Sequence, residues 1–249
     1  MERKFEPVMS GGRPQVTPVP PVSGNGGSGG ISLPIAQNTV LRNTYWLLAL
    51  TMLPTIAGAF VGMQTSFAGL FRSAPIMTPL LMFAAMMGML FVVTLLRNSA
   101  WGVAALFGFT FIAGLMLTPI LSVAAGLKNG GQLVALAGGM TAAIFFGMAT
   151  IATVTKRDFS FMGKFLFIGM ILLIVASLAN LFFQVPALSL TISAVAVLIF
   201  SLYLLYDISN IVRGGETNYV MATLGVFLSL YNIFVSLLHL LMAFTGQRD

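Results

Sequence analysis

The 249-residue chain carries only six acidic side chains, and one of them stands apart. Glu2, Glu6 and Asp249 sit at the chain ends, while Asp158 and Glu216 lie in short polar breaks, where a solvated charge is the ordinary state. Asp207 instead falls inside the run Leu202-Tyr203-Leu204-Leu205-Tyr206-Asp207-Ile208. A carboxylate at the centre of a membrane helix costs on the order of 2.5–3.5 kcal/mol, so such a residue marks a functional pathway with a partner. The alternative is a carboxylate close enough to a helix end to reach interfacial water or an arginine. The chain has one histidine, His239, and no cysteine, which leaves too few ligands for a zinc site. No Gly-x-Ser-x-Gly occurs, and His239 has no evident Ser and Asp partners. No catalytic residue, cofactor or metal is expected.

A second feature is polar but uncharged. Ser229, Asn232 and Ser236 are separated by three and four residues and share one face of a helix. On a membrane helix such a stripe faces protein or a water-filled cavity, which places that helix at the centre of its bundle. The stripe either lines a pathway or holds helices together.

The elements that position these residues follow from composition. Hydrophobic residues make up 58% of the chain and charged residues 7%, against about a quarter charged in ordinary soluble domains. The bilayer interior is the solvent that suits this balance. Apolar runs near the ~20 residues needed for a crossing occur at about 43–64, 76–96, 101–122, 132–154, 164–184, 187–211 and 219–244. The expected fold is therefore an all-α membrane protein of seven transmembrane helices. Residues 1 to about 40 hold Gly11-Gly12, Pro18, Pro20, Pro21 and the run Ser23 to Gly30, a composition expected to stay disordered. The domain division is thus a tail over 1–40 and a membrane domain over 41–249. With the N-terminus cytoplasmic, one side receives Arg3, Lys4, Arg13, Arg42, Arg97, Lys156, Arg157, Lys164 and Arg213, and the other only Arg72, Lys128 and Arg248. That bias predicts the N-terminus inside and the C-terminus outside. The net charge of +6 is spread over span ends and forms no patch interleaved with aromatics, so nucleic acid is not a partner.

Particular blocks carry more than composition. The stretch from Asp207 through Gly214-Gly215-Glu216-Thr217-Asn218-Tyr219, followed by Leu228-Ser-Leu-Tyr-Asn-Ile-Phe-Val-Ser-Leu-Leu238, resembles the C-terminal signature of the Bax inhibitor-1 family. Val40-Leu-Arg-Asn-Thr-Tyr45, Lys156-Arg-Asp-Phe-Ser-Phe161 and Gln184-Val-Pro-Ala-Leu188 are similar to other segments of its bacterial branch, in the same order along the chain. The resemblance implies a bundle in which the last helix is surrounded by the other six, in a bacterial inner membrane. For the bacterial branch it implies association with the membrane protease FtsH as a slow substrate that restrains it, with the N-terminal tail as the end FtsH grips. The wider family also implies a pH-sensitive calcium leak through two aspartates beside an arginine. Asp207 matches the first aspartate, Ser229 stands where the second would be, and Arg97 falls near the arginine. The paired-carboxylate mechanism therefore does not carry over. A cation pathway along Asp207, Arg97, Ser229 and Asn232 remains the second reading, against which stands the six to eight oxygens that calcium prefers. A purely structural role for Asp207 is the third.

Overall fold

The computed structural model describes residues 32–65, 67–155 and 159–246. The tail ahead of Ser32, the Lys156-Arg157-Asp158 triplet and the last three residues lie outside the described residues. Among the described residues all regular structure is helical, and seven stretches are long and apolar enough to cross a membrane: Thr39–Gln64, Met77–Leu96, Trp101–Ala125, Gly130–Val154, Met162–Phe183, Pro186–Val212 and Tyr219–Thr245. The seven expected runs each meet one of these.

Three details differ from the expectation. The first helix, α1 (Ser32–Gln64), begins well ahead of residue 43. A short helix, α2 (Phe67–Ser73), occupies the connection before α3 (Met77–Leu96). The third span is two helices, α4 (Trp101–Met116) and α5 (Thr118–Ala125). The break follows from Pro119, which has no N–H to offer the Leu115 carbonyl. At the break Leu117 N–H bonds Gly114 O at 3.0 Å in a tighter turn. The remaining helices are α6 (Gly130–Val154), α7 (Met162–Phe183), α8 (Pro186–Val212) and α9 (Tyr219–Gly246).

The last helix is the centre of the bundle. Half of the most apolar stretch of its span is buried inside the protein, against 11% for the spans of α3, α6 and α7. It packs on α1, α4, α5, α6 and α8. The arrangement is not a ring of six, however: α3 leans chiefly on α4, and α7 on α8. A cavity of about 420 Å³ separates α3 and α7 from α9.

Packing without a hydrophobic driving force relies on close approach, and the α1–α4 seam is built that way. A Cβ at Gly58 would collide with the Phe111 carbonyl oxygen, and one at Gly114 with the Thr55 carbonyl oxygen. Gly62 lies against Thr118 Oγ1, which is buried without another partner among the described residues. Backbones this close allow Cα–H···O contacts as well as dispersion. Most buried hydroxyls in the bundle are satisfied within their own helix. Thr44 donates to Val40 O, Thr55 to Thr51 O, Thr141 to Ala137 O and Ser201 to Val197 O, all at 2.6–2.8 Å.

Candidate functional site

Asp207 lies five residues before the end of α8 at Val212, on the face turned to α9. Its carboxylate fits because α9 presents Gly225 there: a Cβ at that glycine would come within 3.2 Å of Asp207 Oδ2. One turn further along α9, Ser229 is buried and its hydroxyl donates to Oδ2 at 3.5 Å. Asp207 and Ser229 are therefore neighbours across the α8–α9 seam. One carboxylate with one hydroxyl is what the site offers, since no cluster of three metal-ligating side chains exists among the described residues.

The polar stripe on α9 divides. Ser229 faces Asp207, whereas Asn232 and Ser236 line the cavity beneath α3 and α7, together with Ser177 and Ser193. Asn232 Nδ2 donates to Leu228 O at 2.8 Å, back onto its own helix.

Arg97 caps α3 at the same end of the bundle, with its side chain exposed. Among the described residues it makes no ion pair with Asp207. Its tie to the site runs through its backbone, because Arg97 O accepts from Asn218 Nδ2 at 2.9 Å.

That contact explains the signature loop. Gly214 takes φ 77, and its N–H bonds Ile211 O while Gly215 N–H bonds Asn210 O. These are the two bonds of a Schellman stop, and the left-handed residue in it is a glycine because a Cβ is penalised there. Gly215 must also be small, since a Cβ would strike the Asn210 side chain. Glu216 Oε1 accepts from Asn218 N–H at 2.8 Å. Asn218 Oδ1 then caps α9 by accepting from the N–H groups of Val220 and Met221. The Asn218 amide also donates to Arg97 O and Asn98 Oδ1, tying the α3–α4 turn to the α8–α9 turn. Thr217 and Tyr219 are exposed. Gly214, Gly215, Glu216 and Asn218 thus end one helix, begin the next and clamp a distant turn.

His239 has a partner that sequence reading did not find. Ser193 Oγ on α8 lies 2.9 Å from His239 Nδ1. Ser193 Oγ also lies 2.9 Å from Ser189 O, one turn back on its own helix.

Comparison with known proteins settles the kinship. The family model described as "Inhibitor of apoptosis-promoting Bax1" matches residues 37–246. The chain belongs to the Bax inhibitor-1 family. Within it, the Modulator of FtsH protease YccA of Escherichia coli K12 is 40% identical over 209 residues, 83% of this chain and 91% of that protein. A membrane protein of Vibrio cholerae is 40% identical over 207 residues, 83% of this chain and 90% of its own. The protein PA2604 of Pseudomonas aeruginosa is 41% identical over 201 residues, 81% and 87% of the two chains. This is a multi-pass membrane protein of the Bax inhibitor-1 family, similar to inner-membrane proteins.

Proposed function

We propose that this protein binds an FtsH-type membrane protease and modulates it as a slow substrate, with no chemistry of its own. The observation that carries this reading is the similarity to the Escherichia coli modulator of FtsH protease at 40% identity across nearly the whole membrane domain. The site agrees in kind: its polar groups are spent on capping, clamping and helix pairing. The excess of Lys and Arg on one side sets the N-terminus in the cytoplasm and the C-terminus outside. The Gly/Pro-rich segment ahead of α1 is then on the side where such a protease begins to pull, and it serves as the grip. The test is co-purification of tagged full-length protein with FtsH from a bacterial membrane, paired with a pulse–chase of its turnover. Removing residues 2–31, which leaves α1 whole, is expected to slow turnover several-fold while co-purification persists. Absence of FtsH from the purified full-length protein would overturn the reading.

A second reading, passage of a cation, draws on one feature: the cavity lined by Asn232, Ser236, Ser193 and Ser177, with Ser229 one helical turn from Asn232 on α9 and Asp207 of α8 bonded to Ser229. In proteoliposomes between about pH 5 and pH 8, it requires cation flux above protein-free vesicles that changes with Asp207→Asn.

A further inference from the structure

The α1–α6 side of the bundle holds a feature that the protease reading does not use. Both helices pack on α8 and α9, but between them an apolar groove stays open. Its deeper part, about 420 Å³, has Phe227 and Tyr231 of α9 as its floor and the exposed Ile56 and Phe146 on its rims. Its outer part, about 390 Å³, runs on past Met52 to Tyr45 and Ala149. The two parts share Met52, Phe145 and Phe146 and form one trough.

Three observations identify what fills it. First, length and depth. Every lining residue belongs to a membrane span or to the α4–α5 break within one. Tyr45 to Ile56 covers about 16 Å of helix rise, close to the ~15 Å of one leaflet's hydrocarbon. Second, width. The rings of Tyr45 and Phe145 meet edge to face with centroids 5.8 Å apart, so α1 and α6 already touch there and both rings line the outer part of the groove. A helix with its side chains is about 10 Å across and cannot seat between the two helices, whereas an alkyl chain can lie along the ring pair. Third, charge. Arg42 lies one turn before Tyr45 on the same face of α1, with its side chain exposed.

We propose that this groove binds one anionic phospholipid of the leaflet on the Arg42 side, an acyl chain lying in the trough and the phosphate at Arg42. Filling it restores the dispersion contacts that an empty trough would forfeit, and Arg42 supplies selectivity for negative headgroups.

Native mass spectrometry of the full-length protein, with dioleoyl phosphatidylglycerol or dioleoyl phosphatidylcholine added in detergent, reads this directly. Wild type is expected to retain one phosphatidylglycerol with about tenfold preference. Gly138→Leu fills the trough without striking the bundle, since a Cβ at Gly138 meets nothing within 4 Å. It is expected to lower retention about tenfold. Ala142→Leu, at a second lining position, serves if the first variant does not fold. Arg42→Gln is expected to keep a lipid but bring the two headgroups to within about twofold of each other. Gly131→Leu, equally open but outside the groove, leaves retention unchanged. Equal retention of both lipids by wild type overturns the proposal. So does wild-type retention of phosphatidylglycerol by both groove-filling variants when their circular dichroism is native.

Discussion

The two flanks of α1 use glycine in opposite ways. Toward α4, Gly58 and Gly114 bring backbone onto backbone, and any side chain would collide with a carbonyl. Toward α6, Gly138 faces open space and helps keep a trough between the helices. The contrast shows that glycine content alone says nothing about contact in a membrane protein. Lipid tails are as apolar as leucine, so a seam gains only what close dispersion, Cα–H···O contacts and hydrogen bonds supply. Removing a Cβ creates a seam where a partner backbone follows it in, and a void where none does.

The sharpest way to break this contrast is Gly114→Val. The added branch points at the Thr55 carbonyl, which is backbone and cannot swing aside. The expected cost is about 3 kcal/mol, a fall in the thermal midpoint of roughly 6–12 °C for a chain of this size. Thermal unfolding in detergent, with size-exclusion profiles before heating, measures it. Gly58→Ala adds one methyl against the Phe111 carbonyl and is expected to cost about 2 kcal/mol. A Gly58→Ala protein as stable as wild type would mean that the α1–α4 seam is looser than described.

A third joint, between the α3–α4 and α8–α9 turns, is held by side-chain hydrogen bonds instead of glycine. Asn218→Ala removes the α9 cap and both bonds to Arg97 and Asn98. The expected loss is about 1–2 kcal/mol, with faster hydrogen exchange at Val220 and Met221. Serine at 218 keeps an acceptor for the cap but cannot bridge to the other turn, so Asn218→Ser is expected to recover part of the loss. Full recovery by serine would show that the bridge contributes nothing.

Much of this architecture is legible in the sequence for plain reasons. Seven spans follow from run length, because the hydrocarbon core imposes it. The central place of α9 follows from Ser229, Asn232 and Ser236, since no lipid-facing helix carries such a stripe at low cost. The Gly214-Gly215-Glu216-Thr217-Asn218-Tyr219 block is recognisable as a pattern, but its use is not. The bonds from Asn218 to Arg97 and Asn98 span some 120 positions. Contacts between elements distant in sequence are what sequence reading misses. Ser193 meets His239 from another helix, and Gly225 makes room for Asp207 through a packing angle that no spacing rule supplies. Gly58 and Gly62 have a recognisable spacing, but a glycine by itself does not announce a contact: Gly131, Gly138 and Gly139 meet nothing within 4 Å. The break at Leu117 has its signal in Pro119, which membrane helices often tolerate without one.

The smallest expected effect has the opposite sign, and it tests the rule itself. Gly139 and Gly147 lie eight residues apart on the exposed side of α6, and a Cβ at either meets nothing within 4 Å. Without a seam to lose, alanine should only remove backbone freedom from the unfolded chain, a gain of about 0.5–1 kcal/mol at each site. Gly139→Ala and Gly147→Ala are therefore expected to raise the thermal midpoint slightly, where Gly58→Ala lowers it. The sign, more than the size, carries the inference. If alanine at these two positions stabilises the protein in detergent but weakens recovery of a co-purifying membrane protein, the exposed side of α6 is a seam whose second backbone belongs to another chain. If both measurements are unmoved or improved, glycine there marks only open space, as it does in the trough.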